Sequence, residues 1–398
     1  MSVIVTGGEE RIGLNVFKSL RKRGVDVTVS GDNKLSCAFY SKYTQNFFVY
    51  PRPESSINAY LEKMLEVTKK KRPEMIFPVN DSTLIPISKY REKFMRYTKL
   101  PIPDDETILE THNKTKTIKR AIENDIPVPD THFPKTVKEV ERLSMDLEYP
   151  VVIKPESSKI WVGNKIAGKM VSYANSPKEL VEKYRLLYEM NKPPLIQKLV
   201  QGDGYGYFAL MNHGDVRAFF MHKRIREFPP TGGGSSLRES VYVREVKSLG
   251  EKFLKDLGWH GVAMVEFKYD EKDKEFKLME INGRFWGSLK LAIASGVDFP
   301  YLLYRMEKDG DIGKVSKYKT GVRCRWLVGD IYNLVSVMAG AYNKDVGKNF
   351  NRLQALKGFF SSRSKGMNYD ILDKADLMPF MVNLIYSGGT IINKVRRG

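Results

Sequence analysis

Residues 262–288 read VAMVEFKYDEKDKEFKLMEINGRFWGS, and the placement of the acids in this run decides how the rest of the chain is read. Residues 262–269 alternate in polarity, residues 270–275 form a polar turn, and residues 276–282 alternate again, as in a β-hairpin. A period of two puts Phe276, Leu278, Glu280 and Asn282 on one face of the second strand, where Glu266 can meet them across the hairpin. Two carboxylates and an amide oxygen on one sheet face repel one another unless a hard cation sits between them. Magnesium suits that oxygen set and keeps positions for water and phosphate. The alternative, an exposed strand with solvated acids, explains less well why acids punctuate otherwise apolar faces.

Three other stretches carry chemistry. YPVVIKP (149–155) ends an apolar strand in Lys154, and an ammonium buried without an anion is costly, although a strand-end lysine also reads as surface charge. The segment that follows, SSKIWVGNKIAGKM (157–170), is rich in small and basic residues and can fold over phosphates with backbone N–H groups and lysines as donors. LIQKLVQGDGYGYFAL (195–210) is a strand turning into a glycine-rich bend that carries Asp203; the strand edge can hydrogen-bond an adenine in an apolar slot. HKRIREFPPTGGGSSLRES (222–240) sets three cations beside a glycine and serine loop able to form an anion-binding nest, or to serve as a mobile surface loop.

The chain around these stretches alternates strands and helices at first. Residues 2–6 are a short apolar strand, a Gly7-Gly8 turn leads into a helix ending near Arg23, and residues 25–30 form a second strand. Residues 47–50 and 75–79 are further strands, with a helix over 57–71, so a parallel sheet with helices on its faces is expected. The opening TGGEERIG is only superficially like a dinucleotide fingerprint, because Glu9 stands where that motif needs glycine; it reads as a tight strand-to-helix turn. A linker at 101–103 precedes a helix over 113–124, a hairpin spans 149–173, a helix covers 177–190, and a strand 195–200 opens a largely β stretch to Asn282. After residue 300 the pattern weakens, and short apolar patches from 329 suggest helices before a basic end.

Composition narrows the class. At 398 residues, 42% hydrophobic and 28% charged, the chain reads as a soluble globular protein of two or three domains. No run approaches a membrane span, and the N-terminus does not read as a secretory signal. Cys37 and Cys324 are far apart, which argues against a disulfide framework or zinc site and fits a cytoplasmic protein. The net charge of +19 is spread along the chain without a nucleic-acid-binding module, so anionic small molecules are the expected partners rather than nucleic acid.

Taken together, the four stretches resemble the ATP-grasp superfamily, specifically its carbamoyl-phosphate-synthetase-like carboxylate–amine ligases. The resemblance covers roughly residues 1–300 and rests on order: a helix beginning Asn113-Lys114, then VVIKP, the hinge strand, and the E…E-x-N-x-R hairpin of Glu266, Glu280, Asn282 and Arg284. It implies a mixed α/β (α+β overall) architecture: a Rossmann-like pre-ATP-grasp domain (1–110), two ATP-grasp subdomains (111–192 and 193–300) and a mostly helical C-terminal region (301–398). It also implies ATP with magnesium, or manganese in its place, small carboxylate and amine substrates, and room for a homodimer. Lys114 and Lys154 would contact ATP phosphates, and Ser157, Ser158 and Lys159 would belong to the phosphate loop. Gln197, Lys198 and Val200 would line the adenine pocket, with Asp203 near the ribose. His222 and Arg224 fall where the family reaches the triphosphate or acyl phosphate, Arg284 would offset charge on the moving phosphoryl group, and the loop 231–236 with Arg238 is the candidate grip for an acyl phosphate or acceptor carboxylate. The chain departs from the family in carrying Gln197 where the hinge commonly has Glu, and in a longer phosphate loop holding Ile160, Trp161 and Val162. Two rival readings are a nucleotide-binding sensor or scaffold on the same fold and a Rossmann-type oxidoreductase, the latter leaving residues 150–290 unexplained.

Overall fold

In the computed structural model, β1 (Ser2–Val5), β2 (Asp26–Gly31), β3 (Asn46–Val49) and β4 (Met75–Phe77) make an all-parallel sheet in the order β3-β2-β1-β4. The structure describes residues 2–157, 159–168, 171–189, 193–230, 232–340, 350–361 and 366–395. Parallel neighbours need crossovers, and the helices Arg11–Lys22 and Ile57–Lys71 supply two of them. The second helix spans the residues expected from the sequence, and Ser56 caps it by accepting from the Ala59 N–H.

The next strands are β5 (Thr131–His132), β6 (Val151–Lys154), β7 (Lys159–Val162), β8 (Lys165–Gly168), β9 (Ser172–Ala174) and β10 (Leu195–Lys198). Four of them form an antiparallel sheet, β5-β10-β6-β9, backed by the helices Val137–Leu143 and Pro177–Glu189 over Val140, Ile153, Leu180 and Ile196. The hairpin expected over 149–173 is therefore β6 paired with β9, and β7–β8 is a separate inner hairpin between them. That inner hairpin reaches back to the first sheet's helices: Asn164 takes hydrogen bonds from the Ile57 and Asn58 N–H groups at 3.0 and 2.9 Å.

The third body is a seven-stranded sheet. Its strands are β11 (Gly204–Asn212), β12 (Asp215–Phe228), β13 (Gly234–Ser240), β14 (Gly261–Asp270), β15 (Glu275–Asn282), β16 (Arg323–Arg325) and β17 (Asn368–Tyr369), ordered β15-β14-β11-β12-β13-β16-β17. The helix Arg244–Asp256 interrupts the stretch expected to be largely β up to Asn282, burying Val246, Gly250, Phe253 and Leu254 at helical spacing. The helices Leu327–Met338, Arg352–Ser361 and Met378–Val395 fulfil the expectation of a helical tail, but β16 pairs with β13 and β17 with β16, so the tail also extends this sheet. Among the described residues no helix is long and apolar enough to cross a membrane.

One register detail corrects the sequence reading. Glu266 pairs with Glu280, yet the next pair is Phe267 with Leu278, so Met279 is an extra residue in β15. Such a bulge reverses the alternation. Phe276 and Leu278 consequently join the apolar core with Val265 and Phe267, whereas Glu280 and Asn282 turn to the opposite face with Glu266. The four residues expected on one face are split two and two.

Candidate active site

The face that receives Glu266, Glu280 and Asn282 borders a cleft of about 370 Å³, whose other walls include Lys154 at the end of β6, Arg224 on β12, Arg284 after β15 and Arg11 from the first body. Register explains how Lys154 arrives there. In the antiparallel pair β6–β10, Lys154 opposes Leu195 and Val152 opposes Gln197, so these four share a face; Ile153 and Ile196 lie in the core behind it. Lys114 comes from the helix Lys114–Glu123, capped by the Asn113 side chain accepting from the Lys116 N–H. The Lys114 N–H donates to the Glu156 carbonyl at 2.7 Å and Asn113 Nδ2 donates to Glu156 Oε1, which ties this helix end to the segment after Lys154.

The charges in the cleft perturb one another strongly. Burial pushes both carboxylates up. For Glu280 the nearby Lys114, the Asn282 amide and Lys154 more than offset that and hold it below the usual range. For Glu266 burial wins with help from Glu280, against the pull of Arg224, and its pKa is raised. Arg224 contacts Glu266 directly, donates to Glu227 Oε1 at 3.1 Å, and reaches the Gly233 carbonyl at 3.2 Å. Burial pushes Lys154 down to about 8 even though Glu280 pulls it up. Arg284 donates to both Asp81 oxygens at 3.1 and 3.3 Å and to Asn282 Oδ1 at 2.9 Å, joining the hairpin to the first body.

Whether these residues fit a nucleotide with its metal can be judged from the donor set. Two carboxylates and one amide match the sparse protein ligation of magnesium, which takes its remaining oxygens from phosphate and water. Among the described residues no group of three or more histidines, cysteines or acids is placed to hold a metal by itself. Gln197 Oε1, on the same face as Lys154, is buried with no hydrogen-bond partner, an open acceptor of the kind an exocyclic amine satisfies. Arg224 Nε is likewise buried and unpartnered. The residues fit both groups.

Known proteins point the same way. Residues 196–329 match the family described as ATP-grasp in the biosynthetic pathway with Ter operon. That match covers about a third of the chain. The chain is 24% identical over 244 residues to the D-aspartate ligase of Enterococcus faecium (strain Aus0004), an alignment that covers 56% of this chain and 58% of that ligase, so the chain spans little more than half of that relative's length. Its fold is similar to that of the N5-carboxyaminoimidazole synthetase of Staphylococcus aureus, with a TM-score of 0.66 at 15% identity, covering 90% of this chain and 97% of the other. It is also similar to the biotin carboxylase domain of the Hydrogenobacter thermophilus 2-oxoglutarate carboxylase, solved with MgADP and bicarbonate, with a TM-score of 0.64 at 16% identity over 81% and 73% of the two chains.

Several residues expected around the nucleotide make contacts outside the cleft. Lys198 faces away from Lys154, and its ammonium pairs with Glu148 at 3.1 Å on the far side of β10; only its backbone borders the hinge. Lys159 pairs with Glu54 at 3.1 Å and contacts Ser82, both in the first body, and Ser157 Oγ bonds the His112 and Lys159 carbonyls. Asp203 pairs with Lys223 at 2.5 Å and lines a neighbouring cavity with Arg226 and Gln354, and the buried Val200 accepts from Lys268 Nζ at 3.3 Å. His222 does line the cleft. It is buried against the Phe208 ring with neither nitrogen bonded, and burial together with Arg224 and Arg238 keeps it neutral. Arg238 is a correction: it is fully buried in an ion pair with Asp370, so it holds the fold and cannot grip a substrate. Ser158 and Thr231 lie outside the described residues. The sequence reading missed Arg11, which lines the cleft from the first body, and Asp81, which holds Arg284; they stand at strand-to-helix turns after β1 and β4.

Proposed function

We propose that this chain is an ATP-dependent carboxylate–amine ligase, and the observation that carries the reading is the Glu266–Glu280 pair facing a cleft walled by Lys154, Arg224 and Arg284, with Lys114 near enough to act on the charge of Glu280. Lys114, Lys154 and Arg224 hold the triphosphate, and the β10 edge with Gln197 and Val200 receives the adenine. Magnesium held by Glu266, Glu280 and Asn282, or manganese on the same oxygens, supplies charge neutralisation at the phosphate oxygens.

A substrate carboxylate oxygen attacks the γ-phosphorus, the bond to the β,γ-bridging oxygen breaks, and ADP leaves. An amine then attacks the resulting acyl phosphate, the C–O bond to phosphate breaks, and the amine loses a proton as the amide forms. No protein nucleophile takes part. Catalysis comes from holding reactants in line and from stabilising charge on the transferring group, a role this reading gives to Arg284 and Arg224. Because a relative aligned over 56% of this chain is a D-aspartate ligase, amino acids are the first substrates to try.

The full chain with Mg-ATP and a panel of carboxylic acids and amines should release phosphate only when an acid and an amine are both present. Glu280→Gln should lower that release by about 100-fold or more while the folded protein remains, in line with the loss expected when charge stabilisation is removed from a transferring group. Unchanged release in that variant would sink the assignment.

A further inference from the structure

Two buried arginines share one carboxylate beside the cleft. Arg238 contacts Asp370 Oδ1, and Arg11 Nε lies 3.6 Å from Asp370 Oδ2. Asp370 and Arg238 are fully buried side chains, and Arg11 is 17% exposed on the cleft side of the pair. Two guanidinium groups share one carboxylate in a poorly solvated place, the other acid acting on Arg11 being Glu10, which burial pushes towards its neutral form, and a positive charge so weakly matched is costly unless an anion joins it.

Arg11 is also free to receive that anion. Among the described residues its guanidinium donates one hydrogen bond, Nε to the Gly287 carbonyl at 2.9 Å, and stacks over the Trp326 ring at 4.0 Å. Its Nη2 is flanked by bare backbone: a Cβ added at Gly287 would fall 2.5 Å from it, and one at Gly234 would fall 3.6 Å away. The position also runs against local helix preference. Arg11 is the first residue of the helix Arg11–Lys22, where a cation opposes the helix dipole.

A second observation marks the same spot. Ser235, next to Gly234, lines the cleft with Arg11, and its Oγ is buried without a hydrogen-bond partner. A hydroxyl donor and a planar fork of N–H donors on one wall suit an oxyanion.

We propose that Arg11 and Ser235 bind a second anionic group, a carboxylate or a phosphate, on the acid substrate, so that the acid this enzyme activates is a dianion. One group is presented to the γ-phosphate at the Glu266–Glu280 side while the other is anchored at Arg11. The proposal rests on the ligase reading for which of the two groups reacts. The anion site itself can be measured without turnover.

Trp326 beside Arg11 and Trp286 in the cleft wall give the signal. Succinate, phosphonoacetate and acetate are titrated into the full chain with Mg-ADP present, following tryptophan fluorescence. Both dianions should bind at least about 10-fold tighter than acetate, and the tighter of the two tells a carboxylate anchor from a phosphate one. Arg11→Ala should weaken the dianions by about 10-fold or more, Arg11→Lys by less, and Ser235→Ala, which leaves the packing intact, by about 3-fold. A fluorescent ADP analogue, titrated separately, should bind Arg11→Ala as it binds the parent.

Acetate binding as tightly as both dianions would overturn the proposal. So would dianion binding unchanged in both Arg11→Ala and Ser235→Ala, or an Arg11→Ala variant that loses ADP affinity as much as dianion affinity, which would make Arg11 a nucleotide ligand. Failure of the parent chain to bind the ADP analogue would instead sink the ligase reading, and the dianion titration run without nucleotide would still decide the anion site.

Discussion

Two arginine–carboxylate pairs lie close together in this molecule, and they differ in what surrounds them. Arg238 and Asp370 are both 0% exposed, and they join β13 to the turn after β17. Arg224 and Glu266 are 14% and 15% exposed, face the cleft, and stand beside a second carboxylate, Glu280. The first pair is locked between segments more than a hundred residues apart in sequence. The second is a contact between groups that a nucleotide and its metal would compete for. A short ion pair by itself therefore says little about role; whether it opens on a cleft says more.

The largest contrast should appear in stability. Asp370→Asn leaves Arg238 and Arg11 buried without their counter-charge, a change that costs about 3–5 kcal/mol in other proteins. Chemical denaturation should show a loss of that size. Glu266→Gln removes one of two opposed carboxylates, one already pushed towards its neutral form, so stability should change by less than about 1 kcal/mol while magnesium-dependent ADP binding weakens by about 10-fold or more. Equal destabilisation by the two substitutions would erase the distinction.

A smaller effect follows from Lys154. Its pKa is about 8 in the folded chain, below the value of about 10.4 for an exposed lysine. Between those values the unfolded chain carries more protons, so this group makes stability rise with pH from about 8 to about 10.4; below 8 its burial cost is present in full. Lys154→Met should flatten that rise. Phosphates placed beside Lys154 favour its charged form, so Mg-ADP binding at pH 8 should take up a fraction of a proton, measurable by calorimetry in buffers of different ionisation enthalpy. Proton release on binding would contradict the placement of phosphate there.

Much of this arrangement was legible in the chain, and the failures have physical causes. The four parallel strands, the helix Ile57–Lys71 and the acidic hairpin follow from apolar periodicity and turn residues, which are local signals. The bulge at Met279 was not legible, because alternation carries no record of one inserted residue; the structure reaches the expected cleft face for Glu280 and Asn282 only through that shift of phase. The helix Arg244–Asp256 did leave a signal, in the spacing of Val246, Gly250, Phe253 and Leu254. Arg11 left none. Its partners Gly287 and Asp370 are 276 and 359 residues away, and TGGEERIG tested only against a dinucleotide fingerprint says nothing about them.

The smallest predicted effect separates neighbours on one strand. Gln197 and Lys198 were both expected beside the adenine, yet β10 turns their side chains to opposite faces. Lys198 meets Glu148, itself 70% exposed, and such water-screened surface pairs add little to stability. Lys198→Ala should shift stability little and leave ADP binding unchanged, because only the backbone of residue 198 borders the hinge. Gln197→Met removes the buried open acceptor, and ADP binding should weaken by about 3- to 10-fold, while a guanine nucleotide, whose carbonyl cannot donate to that acceptor, should bind the variant and the parent alike. If Lys198→Ala proved the more damaging of the two, the adenine would lie on the other face of β10, in the cavity lined by His132, Leu147 and Val151.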